Sequence, residues 1–450
     1  DVYKRQIVMD VLTYDDVRSP YERIERIRLI RPDIILITGG VNGGAVRQLE
    51  EIVYQIESSD PKSRQGVNFK LPVIYAGNKT CTDDVHKILG ENYVFIPVAN
   101  IRPWLERENL QPTRDAIRRM FMEHVMAHAP GYDELMKWAS APIIPTPRGE
   151  GMMFQRIANQ FNKNVLGVGL GGATTNIYSI YEGRYLATLS ANLGMSYSMY
   201  NVLREVGEEN ITRWLPFVID DEELCDRIHN KSMRPTTLPQ TIEDLLIEHA
   251  VAREAIRYGL QEHRKLATPL KGAISDKGLL GEGFAAAEID CYIENQKVDW
   301  ICGTGGLLSH APRRSQSALI LIDSFQPEGI TKLSQDSVFM MPHLGVLSTV
   351  HPEAAIEVFE RDCLVNIGTC ITLTGEIPEN EVVANLSYEN SVGEEVNVDV
   401  FGGTIRNIPF KEPKTKLRIK LESGIRVLDG FRSEIETVVG GGDVGIIIDA

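Results

Sequence analysis

The chain has 450 residues, of which 43% are hydrophobic and 24% are charged, and its formal net charge is −15. This composition predicts large packed cores and excludes extensive disorder. No block of basic residues stands out, so we expect no nucleic-acid partner. No apolar run is long enough to span a membrane, so we expect no membrane association. The six cysteines include no CxxC pair, which favours reduced thiols in a cytoplasmic protein over a disulfide framework.

The first part of the chain has the pattern of a unit built on parallel strands. The predicted elements are a strand at 7–12, a helix at 20–30, and strands at 34–37, 72–76 and 93–97 separated by helices at 45–56 and 82–89. Strand, helix and strand at this spacing form βαβ units. Gly39, Gly40, Gly43 and Gly44 follow the strand at 34–37, and they are candidate cleft residues because ligands bind at the carboxyl ends of such strands.

Two histidine patterns in this part come close to ligand motifs. Asp84, His86 and Gly90 miss the cobalamin motif DxHxxG by one position, and His86 falls on a predicted helix rather than on a loop. His124 and His128 are four residues apart on a helix predicted to begin at residue 112, a spacing that suits a metal, but no third ligand accompanies them. We therefore expect neither direct cobalamin binding nor a metal site here.

The most informative stretch runs from Val165 to Ile180. Its apolar residues predict two strands, and the turn between them contains two glycines that can bend sharply or approach a ligand closely. The backbone amides of such a turn, with adjacent hydroxyls, can hold a phosphate. The simpler interpretation is a tight hairpin within a sheet. The candidate phosphate-binding residues are Gly171, Gly172, Ala173, Thr174 and Thr175.

A third glycine turn follows a strand predicted at 300–302. The turn consists of Gly303, Thr304, Gly305 and Gly306, and a helix predicted to begin near Ala311 carries Arg313 and Arg314. These arginines could reach a phosphate or a partner protein, or they could be solvated. Three glycine turns at strand ends predict that at least two of them meet at one ligand. We expect valine at Gly305 to weaken binding of that ligand more than it weakens folding.

Proline, glycine and helical patterns together divide the chain into domains. The predicted division is 1–140 for a first half, 141–150 for a proline-rich linker, 151–369 for a second half with a helical insertion at 194–297, and 370–450 for a β-rich domain. Residues 268–283 form a glycine-rich loop by composition. The chain opens just before one apolar segment and ends within another at 444–448, which predicts that both ends are truncated.

Five segments resemble the MutL proteins, which are accessory proteins of glutamate mutase and share only a name with the mismatch-repair protein. The segments are ITGGVNGG (37–44), LGGATTNIYSIYEG (170–183), ANLGMS (191–196), CGTGGLLSHAPRR (302–314) and LILIDSFQPEGITKLSQDSVFMMPHLGVLS (319–348). The resemblance implies an α/β fold of the actin, Hsp70 and sugar-kinase type, in which two ribonuclease-H-like halves clasp ATP or ADP with Mg²⁺. It also implies that the hairpin at 165–180 holds phosphate and that the turn at 302–306 holds adenosine.

The sequence departs from this family at two positions that usually carry aspartate. The first position falls at Gly169 and the second at Asn176. A carboxylate at such a position would orient a metal ion or water for phosphoryl transfer. The resemblance therefore implies nucleotide binding, and no catalytic residue is identified. The phosphate hairpin of the first half is expected to lie upstream of Asp1.

The resemblance implies a nucleotide-binding accessory or reactivating protein for an adenosylcobalamin-dependent glutamate (methylaspartate) mutase, with the mutase subunits as partners. A catalytic ATPase or small-molecule kinase of the same fold is one alternative, and the missing carboxylates at Gly169 and Asn176 count against it. The other alternative is a structural subunit of the mutase system that binds no nucleotide.

Overall fold

The computed structural model describes residues 9–450 except 45, 64–69, 106, 122, 124–130, 142, 269–290, 390–392 and 429–432. His124, His128 and nearly all of the loop at 268–283 lie outside the described residues. Residues 9–12 form no strand, so the strand predicted at 7–12 is absent from the part that is described. No helix in the described ranges combines the length and the apolar character needed to cross a bilayer.

The first unit is built on a parallel sheet of three strands. Its elements are α1 (Pro20–Ile30), β1 (Ile35–Ile37), α2 (Arg47–Ser59), β2 (Leu71–Tyr75), α3 (Thr82–Leu89), β3 (Tyr93–Pro97), α4 (Gln111–Phe121) and α5 (Tyr132–Trp138). The strand order is β1-β2-β3, and both pairings are parallel. Every residue of β2 is buried, as expected for a central parallel strand. The three strands predicted at 34–37, 72–76 and 93–97 are confirmed.

The second unit is built on a sheet of eight strands. Its elements up to residue 372 are α6 (Thr146–Phe161), β4 (Val165–Leu170), β5 (Thr174–Tyr181), β6 (Arg184–Ala191), α7 (Met199–Val206), α8 (Glu208–Thr212), α9 (Asp221–Met233), α10 (Ile242–Leu266), β7 (Trp300–Thr304), α11 (Gly306–Ser309), α12 (Arg314–Phe325), β8 (Gly329–Asp336), α13 (Met341–Leu347), α14 (Pro352–Val358) and β9 (Leu364–Thr372). Strands β6, β5 and β4 form an antiparallel meander, and β7 and β8 then continue parallel to β4. This is the strand order expected of a ribonuclease-H-like half.

Helix α6 begins earlier than the sequence suggested. Pro145 is its N-cap and Pro147 lies in its first turn, where proline is tolerated because the missing N–H has no partner within the helix. Residues 146–150 of the predicted linker are therefore helical. The prolines at 145 and 147 mark the start of a helix rather than a continuous stiff connection.

Helices α7 to α10 lie between β6 and β7 in the described part of this interval. The longest of them, α10, packs against β5 and β6, and Ala255 and Ile256 on this helix are fully buried in the largest core. Helix α10 therefore covers one face of the sheet at these two strands. Helix α6 covers strands β4, β5 and β6 through a separate cluster that includes Phe154 and Tyr178.

The region after residue 370 is divided between two larger sheets. Its strands are β10 (Thr374–Gly375), β11 (Val382–Glu389), β12 (Glu395–Phe401), β13 (Ile405–Ile408), β14 (Thr415–Leu421), β15 (Ile425–Arg426), β16 (Glu434–Val439) and β17 (Gly445–Asp449). Strands β12, β11, β14 and β16 form an antiparallel sheet, whereas β13 and β17 extend the eight-stranded sheet beyond β9. The described residues of 370–450 contain many strands, but two of these strands are part of the second unit's sheet.

A buried histidine links α10 to the sheet. His263 is 0% exposed, and its Nδ1 and Nε2 atoms lie 2.8 Å from Thr188 Oγ1 and 2.8 Å from Ser179 Oγ. Burial lowers the pKa of His263 to about 4. The unfolded chain binds this proton below about pH 6.5, whereas the folded chain does so only near pH 4.

As the pH drops from about 6.5 to about 4, we expect the protonation of His263 to lower the free energy of unfolding by about 3 kcal/mol. The reason is that the unfolded state takes up the proton first. Urea denaturation across this pH range measures the change. His263→Gln should flatten the pH profile, whereas His351→Gln, at an exposed position, should leave it unchanged. An unchanged slope in His263→Gln would show that other groups control acid stability.

Candidate functional site

Two of the three glycine turns lie side by side at the carboxyl ends of β4 and β7. The two strands are parallel neighbours, with Gly169 opposite Thr304. Gly305 has a φ of 108°, and a Cβ atom there would lie 2.1 Å from the carbonyl oxygen of Leu170. Only glycine permits this conformation and this approach. The structure therefore brings residues 171–175 and 303–306 together.

Residues 193–198 fix the hairpin turn from one side. The backbone amides of Met195 and Ser196 donate to the carbonyl oxygens of the two turn glycines, at 2.9 and 2.8 Å. The hydroxyl of Ser198 donates to the carbonyl oxygen of Ala173 at 2.8 Å. Three consecutive carbonyl groups are thus held in place, which orients the peptide planes of the turn. The sequence motif ANLGMS (191–196) overlaps this segment, and the family resemblance is its only signal in the sequence.

Within the part of the chain that the structure describes, the amide of Gly171 donates to the carbonyl oxygen of Thr174 at 2.9 Å, and the next two amides of the turn have no partner. Gly172 is exposed and Ala173 is partly exposed, and neither amide donates a hydrogen bond to any part of the protein that the structure describes. Successive backbone N–H groups in a turn form a concave site for an anion. The hairpin at 171–175 therefore has the groups that a phosphate oxygen requires.

The threonine hydroxyls near the two turns are used differently from one another. Thr175 Oγ1 donates to the carbonyl oxygen of Leu193 at 2.6 Å. Thr304 Oγ1 donates to Asp336 Oδ2 at 3.2 Å, and that carboxylate also accepts from a backbone amide at the start of α13, at 2.8 Å. Thr174 Oγ1 is buried without a partner among the described residues. Of the three hydroxyls, only that of Thr174 has no hydrogen-bond partner among the described residues and could contact a ligand.

A buried carboxylate lies against the hairpin. Glu150, on α6, is 3% exposed, and its Oε2 atom accepts from the hydroxyl of Tyr178 at 2.7 Å and from Asn176 Nδ2 at 3.3 Å. A Cβ atom on Gly169 would lie 2.3 Å from the same oxygen. Burial, and then the neighbouring Glu150 charge, raise the pKa of Tyr178 well above its usual value. Sequence reasoning missed Glu150 because it assigned residues 141–150 to a linker.

The side chains at this point fit a Mg²⁺ ion. Thr174, Asn176 and Tyr178 alternate along β5 and so share one face of the sheet. Thr174 Oγ1 and Asn176 Oδ1 are both buried without a partner in the described part of the chain, and the Glu150 carboxylate accepts a hydrogen bond from Asn176. Mg²⁺ takes oxygen ligands, commonly one or two carboxylates together with substrate phosphates. Among the described residues no group of three or more His, Cys, Asp or Glu side chains could hold a metal without such help.

The turn at 39–44 belongs to the first unit. Gly43 donates its amide to Asn78 Oδ1 at 2.9 Å, and Asn100 Nδ2 donates to the carbonyl oxygen of Gly40 at 2.9 Å. These asparagines follow β2 and β3, so the turn is held at the carboxyl edge of its own sheet. Its contribution to a shared site remains a prediction.

The remaining predicted residues lie outside the paired turns. Helix α12 begins at Arg314 rather than near residue 311, and Arg314 Nη1 donates to the carbonyl oxygen of Ser309 at 2.9 Å. Arg313 is exposed at the N-cap of this helix. His86 lies on helix α3, as predicted, and its ring stacks on Phe95 with the centroids 4.9 Å apart.

The protein is a mixed α/β protein, as the strand order of its sheets shows. Its glycine hairpin and the adjoining glycine turn form a candidate anion site at the carboxyl ends of β4 and β7. A sequence model of the MutL protein family matches residues 6–363, and the chain belongs to this family. Protein MutL of Clostridium tetanomorphum is 24% identical over 386 residues, which are 79% of this chain and 77% of that protein.

Three solved structures share a weak likeness with the chain. Component A of (R)-2-hydroxyglutaryl-CoA dehydratase from Acidaminococcus fermentans is 9% identical, with a TM-score of 0.24 over 53% of this chain and 82% of that chain. An archaeal actin homolog is 8% identical, with a TM-score of 0.24 over 63% and 71% of the two chains. A nucleotide-free acetone carboxylase is 9% identical, with a TM-score of 0.27 over 78% and 60%. TM-scores this low support no conclusion about function.

The geometry revises the expected effect of valine at Gly305. The side chain would strike the Leu170 carbonyl, so we expect Gly305→Val to lower the free energy of unfolding by roughly 2–4 kcal/mol. Gly306 is the better probe, because it is exposed and a Cβ atom there would meet nothing within 4 Å. Gly306→Val should leave stability within about 0.5 kcal/mol and weaken ADP binding by about tenfold or more. Denaturation and ADP titration of both variants provide the measurement, and wild-type ADP affinity in Gly306→Val would place this turn outside the site.

Proposed function

We propose that the chain binds ATP or ADP at the hairpin turn of residues 171–175, with the turn of residues 303–306 beside the nucleotide. The observation that carries this proposal is that the backbone N–H groups of Gly172 and Ala173 donate no hydrogen bond within the described part of the chain. Residues 193–198 hold the carbonyl groups of the same turn, so these amides are oriented before a ligand arrives. Dipoles that are already oriented stabilise an anionic oxygen without a cost of reorganisation.

We infer that nucleotide binding serves an accessory role, in which the protein reactivates an adenosylcobalamin-dependent glutamate (methylaspartate) mutase. Membership of the MutL family and the resemblance to glutamate mutase accessory proteins support this role. The partners are then the mutase subunits, and the compartment is the cytoplasm.

Burial raises the pKa of both Cys302 and Cys370 to about 12, so these two thiols are packing groups rather than nucleophiles.

The antiparallel sheet formed by β12, β11, β14 and β16 is the surface that we propose for the mutase. Along β14 buried and exposed residues alternate, so that one face packs and Lys416, Arg418 and Lys420 are exposed. This sheet lies beyond the paired glycine turns in the chain, and its polar face is not required to bind a nucleotide. Binding residues occur disproportionately on surface segments that a rigid scaffold positions.

Isothermal titration of the chain with ATP and with ADP, in the presence of Mg²⁺, tests nucleotide binding. We expect saturable heat with at least one nucleotide and a weaker affinity in Gly306→Val. If neither nucleotide gives heat while the protein is folded, the nucleotide proposal is wrong and the structural-subunit alternative gains support.

Capture of the mutase in the presence of ATP, of ADP or of no nucleotide tests the accessory role. Coupling between the two sites requires that the nucleotides change the affinity for the mutase differently. We therefore expect unequal capture under the three conditions, together with recovery of a mutase whose cofactor has been inactivated. Equal capture and no recovery would remove the reactivating role. Steady phosphate release that is independent of the mutase would instead favour a catalytic ATPase.

A further inference from the structure

Helix α6 and strand β4 fit together through two pairs of residues. A Cβ atom on Gly167 would lie 2.5 Å from a ring carbon of Phe154, and one on Gly169 would lie 2.3 Å from Glu150 Oε2. Four residues of a helix rise about 6 Å, and two residues of a strand rise about 6.6 Å. The two side chains on the helix therefore match the two glycines on the strand. This packing fixes the Glu150 carboxylate in the space that a side chain at position 169 would otherwise fill.

The surroundings of this carboxylate are rich in oxygen atoms. The hydroxyl of Tyr178 and the amide nitrogen of Asn176 donate to Glu150 Oε2. Asn176 Oδ1 and Thr174 Oγ1 are buried with no partner among the described residues, and these two residues are 2% and 0% exposed. A buried polar atom with no hydrogen-bond partner destabilises the fold, because it has lost its hydrogen bonds to water. A ligand that satisfies both oxygens beside a carboxylate would offset this cost, and a hard divalent cation takes such donors.

We propose that Glu150 supplies the carboxylate of the hairpin site, and that with Thr174 and Asn176 it holds the Mg²⁺ ion that accompanies the bound nucleotide. The inference rests on the proposed nucleotide binding. It assigns the acidic group of the site to helix α6 and explains the absence of a side chain at Gly169, because a side chain there would displace the carboxylate. Contact with the ion is either direct or through one water molecule.

Calorimetric titration of ADP with and without Mg²⁺ tests the inference in the variant Glu150→Gln. Glutamine keeps the shape of the side chain and can still accept from Tyr178, but it removes the charge. We expect Mg²⁺ to tighten ADP binding in the wild type, and we expect Glu150→Gln to reduce that tightening by about tenfold, which corresponds to about 1.4 kcal/mol. The affinity for ADP without Mg²⁺ should stay within about twofold.

The matched control is Glu254→Gln. Glu254 is also buried, at 5% exposure, but it pairs with Arg213 and accepts from the indole N–H of Trp214 within the helical insertion. We expect this variant to lose stability and to keep the effect of Mg²⁺ on ADP binding. Thermal unfolding of each variant separates damage to the fold from loss of the ion.

A relocation of the carboxylate keeps the inference testable if Glu150→Gln fails to fold. Gly169→Asp alone should be strongly destabilised, because its Cβ would collide with Glu150 Oε2. Combined with Glu150→Ala, which empties that space, Gly169→Asp should fold and restore at least part of the Mg²⁺ effect. No effect of Mg²⁺ in a folded double variant would count against a carboxylate requirement.

The outcomes separate this inference from the proposed function. If the wild type binds ADP but Mg²⁺ has no influence, or if Glu150→Gln keeps the full influence, nucleotide binding stands and the role of Glu150 is overturned. If the wild type binds no nucleotide under any condition, the proposed function fails and the inference fails with it. Binding of Mn²⁺ in place of Mg²⁺, followed by electron paramagnetic resonance of the ADP complex, gives a second readout that should weaken in Glu150→Gln.

Discussion

The close contact of helix α6 with its neighbours is the constraint on which the second unit depends. A Cβ atom on Gly149 would lie 2.4 Å from the carbonyl oxygen of Pro342, and one on Gly345 would lie 1.9 Å from that of Gly149. The backbones of α6 and α13 therefore touch on one side, while Phe154 enters the space above Gly167 on the other. A helix clamped in this way has little freedom to slide, so the side chains that it directs at the hairpin have fixed positions.

Local patterns predicted the parts of the site that local geometry determines. The alternating apolar residues around Gly171 and Gly172 predicted both strands of the hairpin, and the pairing of β4 with β5 confirms them. The same reasoning placed a strand before Gly303. These features depend on residues close together in the sequence, and the spacing of apolar side chains and glycines is enough to predict them.

The chemistry of the site depends on contacts that no local pattern contains. Thr175 and Thr304 looked equivalent to Thr174 in sequence, but their hydroxyls bond to partners 18 and 32 residues away. Glu150 lies in a stretch whose prolines suit either a linker or the first turn of a helix. Only the packed register of α6 on β4 shows that this carboxylate meets Gly169. In the same way, β13 and β17 resemble the other short strands after residue 370, and the sheet that each one joins is decided by tertiary pairing.

The position of β17 beside β9 has a consequence for biosynthesis. Strand β9 pairs with β8 on one edge and with β17 on the other, and the ribosome must add residues 373–444 before β17 is made. At 5–20 residues per second this interval lasts roughly 4–14 s. During that time the outer edge of β9 lacks its native neighbour, and an unpaired strand edge is a template for another chain. The large sheet therefore stays incomplete at this edge until β17 has been made, and the edge of β9 is open to neighbouring nascent chains during that interval.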